Sequence, residues 1–455
     1  MTAPATTGRP AALPTDQLPP LAAPRPAAPL EVVTVLMANG LRVVAARSAT
    51  VPLVELRLLV PFDGGPAPLG ATAELLAATL LGGTREHGRA ALDDRLADIG
   101  AQLTARVDPE RMVLAGSASA DGLPRLLDVL ADCLTEPAFA PQDVAEQRDR
   151  LRQRIDAARR MPKNTVREAL LRRCYGDHPL SRETPESALL APLDADAVRR
   201  LARERLVPRG ATLVVVGCAE PQRTADLVCG ALARWRSERT VTAAAAPAPV
   251  DGGDLDFLPR PGARQAQVRL AATALPRTDA RYEALLVANL VLGGYFSSRL
   301  VAELRENLGY VYHAQSTIEE RAAGSALTVI GFDTDTRTAA AALRAARDEL
   351  TRIADTAPPT DEEVIAARSY AVGITALSWS GQSGLAHLLL TLASAGLDHT
   401  WLPGHLHRLR TVTPDAVRAA AAHHLAPHHF TGVLAGAPDT LLPELETLGG
   451  IRPPT

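Results

Sequence analysis

From residue 31 onward the chain alternates short β-branched runs with segments of helical spacing, and this alternation predicts its elements. VVTVLMANGLRVVAARS (32 to 48) sets two apolar runs around Asn39-Gly40, the dipeptide that best tolerates the positive φ angles of a tight hairpin turn. A further strand is expected over 51 to 60 and another over 112 to 119. Helical periodicity covers 70 to 81, then 86 to 99 through Leu92, Leu96 and Ile99, then 123 to 134, where Pro137 stops it. Arg-rich helices fill much of 141 to 207, and ATLVVVG (211 to 217) reads as a buried strand. The signals restart with a strand at QAQVRLA (265 to 271), helices over 279 to 292 and 336 to 354, and a strand at SALTVIGFD (325 to 333).

Between these two series lies TVTAAAAPAPVDGGD (240 to 254), small, Pro/Gly-bearing and without periodicity, as an interdomain linker would be. It divides the chain into an N-terminal domain, 31 to 239, and a C-terminal domain, 255 to 455. Residues 1 to 30 hold eight prolines, which remove donors and fix the backbone, so they read as a disordered tail.

The two halves repeat one another. Placing LDADAVRRLARERLVPRGATLVVVG (193 to 217) over VTPDAVRAAAAHHLAPHHFTGVLAG (412 to 436) without a gap matches Asp196 with Asp415, Val198 with Val417, Arg199 with Arg418 and Leu206 with Leu425. Pro208 and Pro427, Thr212 and Thr431, Val214 and Val433, and Gly217 and Gly436 also coincide. Helix, proline stop and buried strand follow in the same order twice. Strands and helices mix without strict βαβ alternation, so the expected fold class is α+β, two homologous domains of mostly antiparallel sheet with packed helices.

Composition narrows the function. A chain of 455 residues suits two domains of roughly 200 each. Its formal charge of -3, with 22% charged residues, lacks the basic excess that nucleic acid demands. Cys133, Cys174, Cys218 and Cys229 show no CxxC or other paired-ligand spacing and read as reduced thiols. No apolar run near the N-terminus forms a signal-peptide core, and no uncharged stretch approaches the roughly 20 residues of a membrane span, so a cytoplasmic protein without membrane contact is expected.

VLGGYFSSRLVAELRENLGYVYHAQS (291 to 316) resembles the segment of the insulinase/pitrilysin/mitochondrial-processing-peptidase family that reads LGG-x-x-SSRL, then LRE, then GL-x-Y. NGLRVV (39 to 44), GGT (82 to 84), EPAF (136 to 139), YGDHPL (175 to 180) and PRGATLVVVG (208 to 217) agree with that family in order and spacing. The resemblance spans about 31 to 440. It implies a pair of α+β domains that face a second such chain as a clamshell around a chamber.

Active members carry His-x-x-Glu-His on a helix and a distal glutamate some 75 to 80 residues on. Two His four residues apart reach one metal, and the adjacent Glu serves as base on bound water. Anchored on Gly83-Thr84, the matching segment here is ATAELLAATLLGGT, with Glu74 and Ala78 at the His positions and Ala77 at the Glu position. The first histidine in the chain is His87, beyond the motif, and the distal ligand falls near Gln153 or Arg154. The resemblance therefore implies a subunit with no metal of its own, and zinc in a partner. GLAHLLLT (384 to 391) echoes the lead-in to the zinc helix but carries one His, with Thr391 where the second would stand. His423, His424, His428 and His429 read as a solvated helix end that at most takes up adventitious metal, and His178 as a structural hydrogen-bonding residue in its DHP turn.

The family also implies a role for Arg305 and Tyr312, seven residues apart. In that reading they grip the substrate backbone in the partner's site, the phenol donating to the oxyanion. Ordinary ion pairing and strand packing are the alternatives. Gly293, Gly294, Ser297 and Ser298 join this stretch to the preceding helix and serve either substrate contact or close helix packing. Two functions stay open. One is a zinc-free subunit of a heterodimeric metallopeptidase acting on peptides, leader peptides included. The other is a scaffold or peptide-binding protein of the same fold with no part in proteolysis.

Overall fold

The Asn39-Gly40 turn forms, with Gly40 at φ +87°, and brings β1 (Val32–Leu36) antiparallel to β2 (Arg42–Arg47). The computed structural model describes residues 29–62, 65–241, 244–321 and 324–452, so most of the proposed tail lies outside the described residues. The first half continues through β3 (Leu53–Pro61), α1 (Ala67–Thr79), α2 (Arg89–Ala97), β4 (Gln102–Val107), β5 (Arg111–Ser119), α3 (Leu123–Thr135), α4 (Pro141–Arg159), α5 (Pro162–Tyr175), α6 (Ala195–Arg205), β6 (Thr212–Gly217) and α7 (Pro221–Ala231). Residues 244–254 form neither helix nor strand.

The second half runs β7 (Leu255–Pro259), β8 (Gln265–Ala274), α8 (Tyr282–Asn289), α9 (Arg299–Val301), β9 (Val311–Glu320), β10 (Ala326–Asp335) and α10 (Ala339–Thr351). It closes with α11 (Asp361–Ser378), α12 (Gln382–Ser394), α13 (Trp401–Thr411), α14 (Pro414–His424), β11 (Thr431–Gly436), α15 (Pro438–Leu448) and β12 (Ile451–Arg452). Each half is a six-stranded sheet, ordered β1-β2-β6-β3-β5-β4 and β12-β7-β11-β8-β10-β9. Pairing is antiparallel except β2 with β6, β7 with β11 and β7 with β12. This is the α+β architecture expected, and only the outermost strand next to β2 or β7 is supplied differently, from the start of one half and the end of the other.

The internal repeat is structural. A shift of 219 positions carries α6 onto α14 and β6 onto β11 with no change of bounds. Asp196–Arg199 and Asp415–Arg418 form the same ion pair at 2.8 Å, and each arginine also donates to a backbone carbonyl, Phe139 or Pro359. The 3.6-residue period that predicted a helix over 279 to 292 is α8 continued by a π-helical turn, Leu290–Gly294. The largely helical run Tyr282–Asn307 is, among the described residues, long and apolar enough to cross a membrane. However, 67% of its most apolar window is buried inside the fold, so its apolarity serves the core.

The continuous apolar runs of β6 and β11 have a specific cause, burial on both faces of the sheet. Leu213 and Val215 pack with the first half's own helices, while Val214 and Val216 meet Leu385, Ala386, Leu389 and Leu390 of α12 from the other half. Reciprocally, Leu434 faces its own core, and Val433 and Ala435 meet Val166, Leu170 and Leu171 of α5. The same 219-residue shift carries Val166, Leu170 and Leu171 onto Leu385, Leu389 and Leu390. Each half thus lends the other an equivalent helix. Gln382 fixes α12 in place, donating from Nε2 to the carbonyls of Ser48, Val51 and Leu53 at 2.6 to 3.2 Å. Arg167 of α5 makes paired bonds to Glu319 of β9 at 2.9 and 2.6 Å and also holds Glu183. Burial pushes the Glu183 carboxyl upward, but Arg167 and Arg321 outweigh it and hold the group below its usual range.

Leu389 is 3% exposed at the seam between the halves. Leu389→Ala is expected to lower the unfolding free energy by about 2–5 kcal/mol, read from the urea midpoint.

Candidate functional site

Helix α1 carries Glu74, Ala77 and Ala78, the residues that the resemblance aligns with the family's metal and base positions. Ala77 and Ala78 offer no donor atoms. Glu74 retains a carboxylate, which lines a cavity of about 380 Å³ together with Asp108, Arg159, Glu168 and Arg172. Burial raises its pKa. Arg154 on α4, at the distal-ligand position, opposes that rise, and Asp108 adds to it. A guanidinium therefore stands in the field where a second anionic ligand would be needed. Among the described residues no three His, Cys, Asp or Glu side chains converge as a metal site requires. The carboxylates of this cavity do not converge on one point and are interleaved with arginines, so they do not fit zinc, which takes three or four neutral-nitrogen, thiolate or carboxylate donors.

The histidines fall elsewhere. His387 keeps part of its surface in solvent on α12, and partial desolvation, then the charges of Arg111, Arg57 and Arg277, hold its pKa below the usual value. His424 is pushed down to about 4, first by burial and then by His423 and Arg281. His178 has the structural role expected, its ring bonded to the Ala245 carbonyl at 2.9 Å and accepting from the Leu180 N–H at 3.2 Å.

In the second half, Arg305 lies in a π-helical turn, Ala302–Asn307, and Tyr312 is the second residue of β9. Their meeting is a local consequence of sequence. The apolar residues Leu300, Leu304 and Val311 are buried, which turns Arg305 and Tyr312 outward. The Arg305 guanidinium carbon stands 5.6 Å from the Tyr312 ring centroid and 4.9 Å from that of Phe296, within cation–π range of both. Tyr312 is 87% exposed and Phe296 68%. A phenol and an arginine held together on open surface can both donate hydrogen bonds to a ligand's oxygen atoms.

Phe296 is a member of this group that motif reading passed over. Its signal was an aromatic ring beside Ser297 and Ser298 in a chain with only 3% aromatic residues. Tyr295 beside it stacks on Tyr370 of α11, with centroids 5.2 Å apart and planes 25° apart. The small residues divide in role. Gly293 is buried, and a Cβ there would stand 2.8 Å from Ser316 Cβ and 2.9 Å from Leu300 Cδ1, so close packing of helix on strand accounts for it. Ser298 is fully buried, its Oγ without a partner among the described residues, whereas Ser297 is exposed beside Phe296. At Gly294 a Cβ would meet chiefly the flexible end of Leu290. Arg299 anchors the segment through paired bonds to Glu363, at 2.7 and 2.6 Å, and a bond to the Ala357 carbonyl at 2.6 Å.

Two outcomes follow from this geometry. Gly293→Ala is expected to cost about 1–3 kcal/mol, seen as a lower Tm, with Gly294→Ala clearly milder. Because the folded-state pKa of Glu74 is raised, the penalty for its ionised form is absent below the ordinary carboxylate pKa and complete above the raised one. Glu74→Gln should therefore raise Tm relative to the unsubstituted chain at pH 7.5 and give no gain at pH 4. An equal gain at both pH values would contradict the assignment.

Comparison with known proteins places this geometry in a lineage. Residues 69–187 match the family profile described as Insulinase (Peptidase family M16), and residues 192–370 match that of the Peptidase M16 inactive domain. An uncharacterized zinc protease of Streptomyces coelicolor is 27% identical over 374 residues, 79% of each chain. The mitochondrial-processing peptidase subunit alpha of Solanum tuberosum is 30% identical over 139 residues, 30% of this chain and 27% of its own length. The crystal structure of a peptidase M16 inactive domain from Pseudomonas fluorescens superposes with a TM-score of 0.81 at 20% identity, covering 89% of this chain and 98% of that one. The chain belongs to the insulinase family of peptidases, M16.

Proposed function

We propose that this protein is the zinc-free subunit of a two-chain metallopeptidase, one that completes a proteolytic chamber and presents Arg305 and Tyr312 to a peptide bound at its partner's zinc. The observation that carries this reading is the contrast between the halves. The metal positions of the first half have become Glu74, Ala77, Ala78 and Arg154, yet the second half keeps Arg305 and Tyr312 in contact and facing solvent. Arg305 also pairs with Glu306 at 3.4 Å, but an exposed ion pair and exposed ring contacts contribute little to stability and do not account for a tyrosine left 87% exposed. A scaffold, the second reading, has no need of it.

In this role Tyr312 donates its phenolic hydrogen to the oxygen that becomes negatively charged as water attacks the peptide carbonyl. Arg305 directs its N–H groups at neighbouring carbonyl oxygens. The partner is a homologous chain with an intact His-x-x-Glu-His motif. It supplies the zinc, and the substrate is an unfolded peptide or leader segment able to enter an enclosed chamber. A cytoplasmic setting without nucleic acid or membrane goes with this reading.

The purified chain should be inactive alone and gain peptidase activity when mixed with that zinc-bearing partner. Tyr312→Phe should lower kcat of the mixture roughly 10- to 1000-fold while leaving assembly by size-exclusion chromatography intact. Undiminished turnover in the variant would favour the scaffold.

A further inference from the structure

Helix α11 departs from what solubility asks of a surface helix. From Ile365 to Ser378 every exposed position is uncharged, and Tyr370, Ile374 and Leu377, spaced as one helical stripe, are 41%, 45% and 65% exposed. The molecule contains its own control. α4 is the corresponding helix of the first half, and superposing its buried Val144 and Leu151 on Val364 and Ala371 sets Arg150 and Arg154 where Tyr370 and Ile374 stand. α4 further exposes Glu146, Asp149 and Asp156. One architecture thus appears twice, with charges along the exposed face in one copy and, beyond the first turn, an uncharged exposed face in the other, where the one charged residue, Arg368, is half-buried and donates to the Val412 carbonyl.

The stripe is continuous with the site already described. Tyr370 stacks on Tyr295, the next residue Phe296 lies against Arg305, and Arg305 lies over Tyr312 at the start of β9. β9 is the outermost strand of its sheet, so among the described residues its outward N–H and C=O groups have no strand partner. Apolar side-chain contacts, an arginine with directed donors and an open strand edge therefore lie side by side.

We propose that the α11 stripe and Phe296 form a docking wall for extended peptide segments rich in large apolar side chains. This rests on the reading of Arg305 and Tyr312 as peptide-facing groups, and it narrows the substrate class. An extended chain answers all three features together, because its main chain meets Arg305 and the β9 edge while its side chains cover Tyr370, Ile374 and Leu377. A folded partner surface matches the stripe but leaves the strand edge unanswered.

The test uses the purified chain alone and two fluorescein-labelled fifteen-residue peptides of equal charge, one with Leu and Phe at alternate positions and one with Ser and Asn there. Fluorescence anisotropy is expected to show the apolar peptide bound at least about 10-fold more tightly, and Ile374→Glu/Leu377→Glu is expected to lose about 10-fold or more of that affinity. Both substituted side chains are exposed, and an unchanged Tm verifies the fold. Equal binding of the two peptides, no binding of either, or indifference to the double substitution overturns the proposal. So does a double variant that binds peptide normally but no longer joins a zinc-bearing subunit, since the stripe would then be a subunit contact. The anisotropy assay needs no zinc-bearing chain, so its failure is separable from that of the peptidase reading, which Tyr312→Phe turnover tests.

Discussion

The reciprocal loan of α5 and α12 is the constraint on which the rest of this structure depends. Neither sheet is covered on both faces by its own half, and each central strand is apolar on both sides because the foreign helix is part of its core. Burying Leu385, Leu389 and Leu390 contributes about 1.5–3 kcal/mol for each side chain, and the equivalent α5 residues supply a similar gain. The polar contacts around this exchange act as registration. The Gln382 amide nitrogen bonds only carbonyls of the first half, and the Arg167, Glu183, Glu319 and Arg321 group ties α5 to the far end of β9. The strand that displays Tyr312 is therefore braced by the opposite half.

Against that shared frame the chemistry is unevenly distributed. In the first half no metal donors converge among the described residues, and a partly buried carboxylate, Glu74, lies in the field of Arg154. The second half concentrates its exposed aromatic surface around one arginine, beside two π-helical turns separated by residues 295–301. Such turns commonly accompany functional positions, because the extra residue shifts a side chain out of helical register. Here Gly293 permits the first turn to lie directly on Ser316, and the second delivers Arg305 to the ring of Tyr312.

Much of this was legible in the sequence because it depends on local pattern. The hairpin follows from Asn39-Gly40, the twin buried strands from unbroken apolar runs, and the relation of the halves from a gapless repeat. Strands β4 and β9 escaped because both are outermost, with polar side chains such as Thr104, Arg106, Gln315 and Thr317 masking the apolar period. The exchange of helices was invisible for a different reason. GLAHLLLT shows an apolar face but not which sheet will receive it, so its likeness to a zinc helix stood without the packing that explains it. Phe296 was hidden by its setting among small residues, since its contact with Arg305 arises only once the π-helical turn folds back.

The loan also orders events during synthesis on the ribosome. When β6 has emerged, the first sheet is complete in strands, yet Val44, Leu59, Val214 and Val216 stay bare until α12, far along the chain, is translated. α5 is likewise made long before the sheet it will cover. The nascent first half must therefore wait with one oily face exposed, an interval in which holding chaperones or premature aggregation compete for it, so separate expression of either half should yield sticky, poorly soluble material.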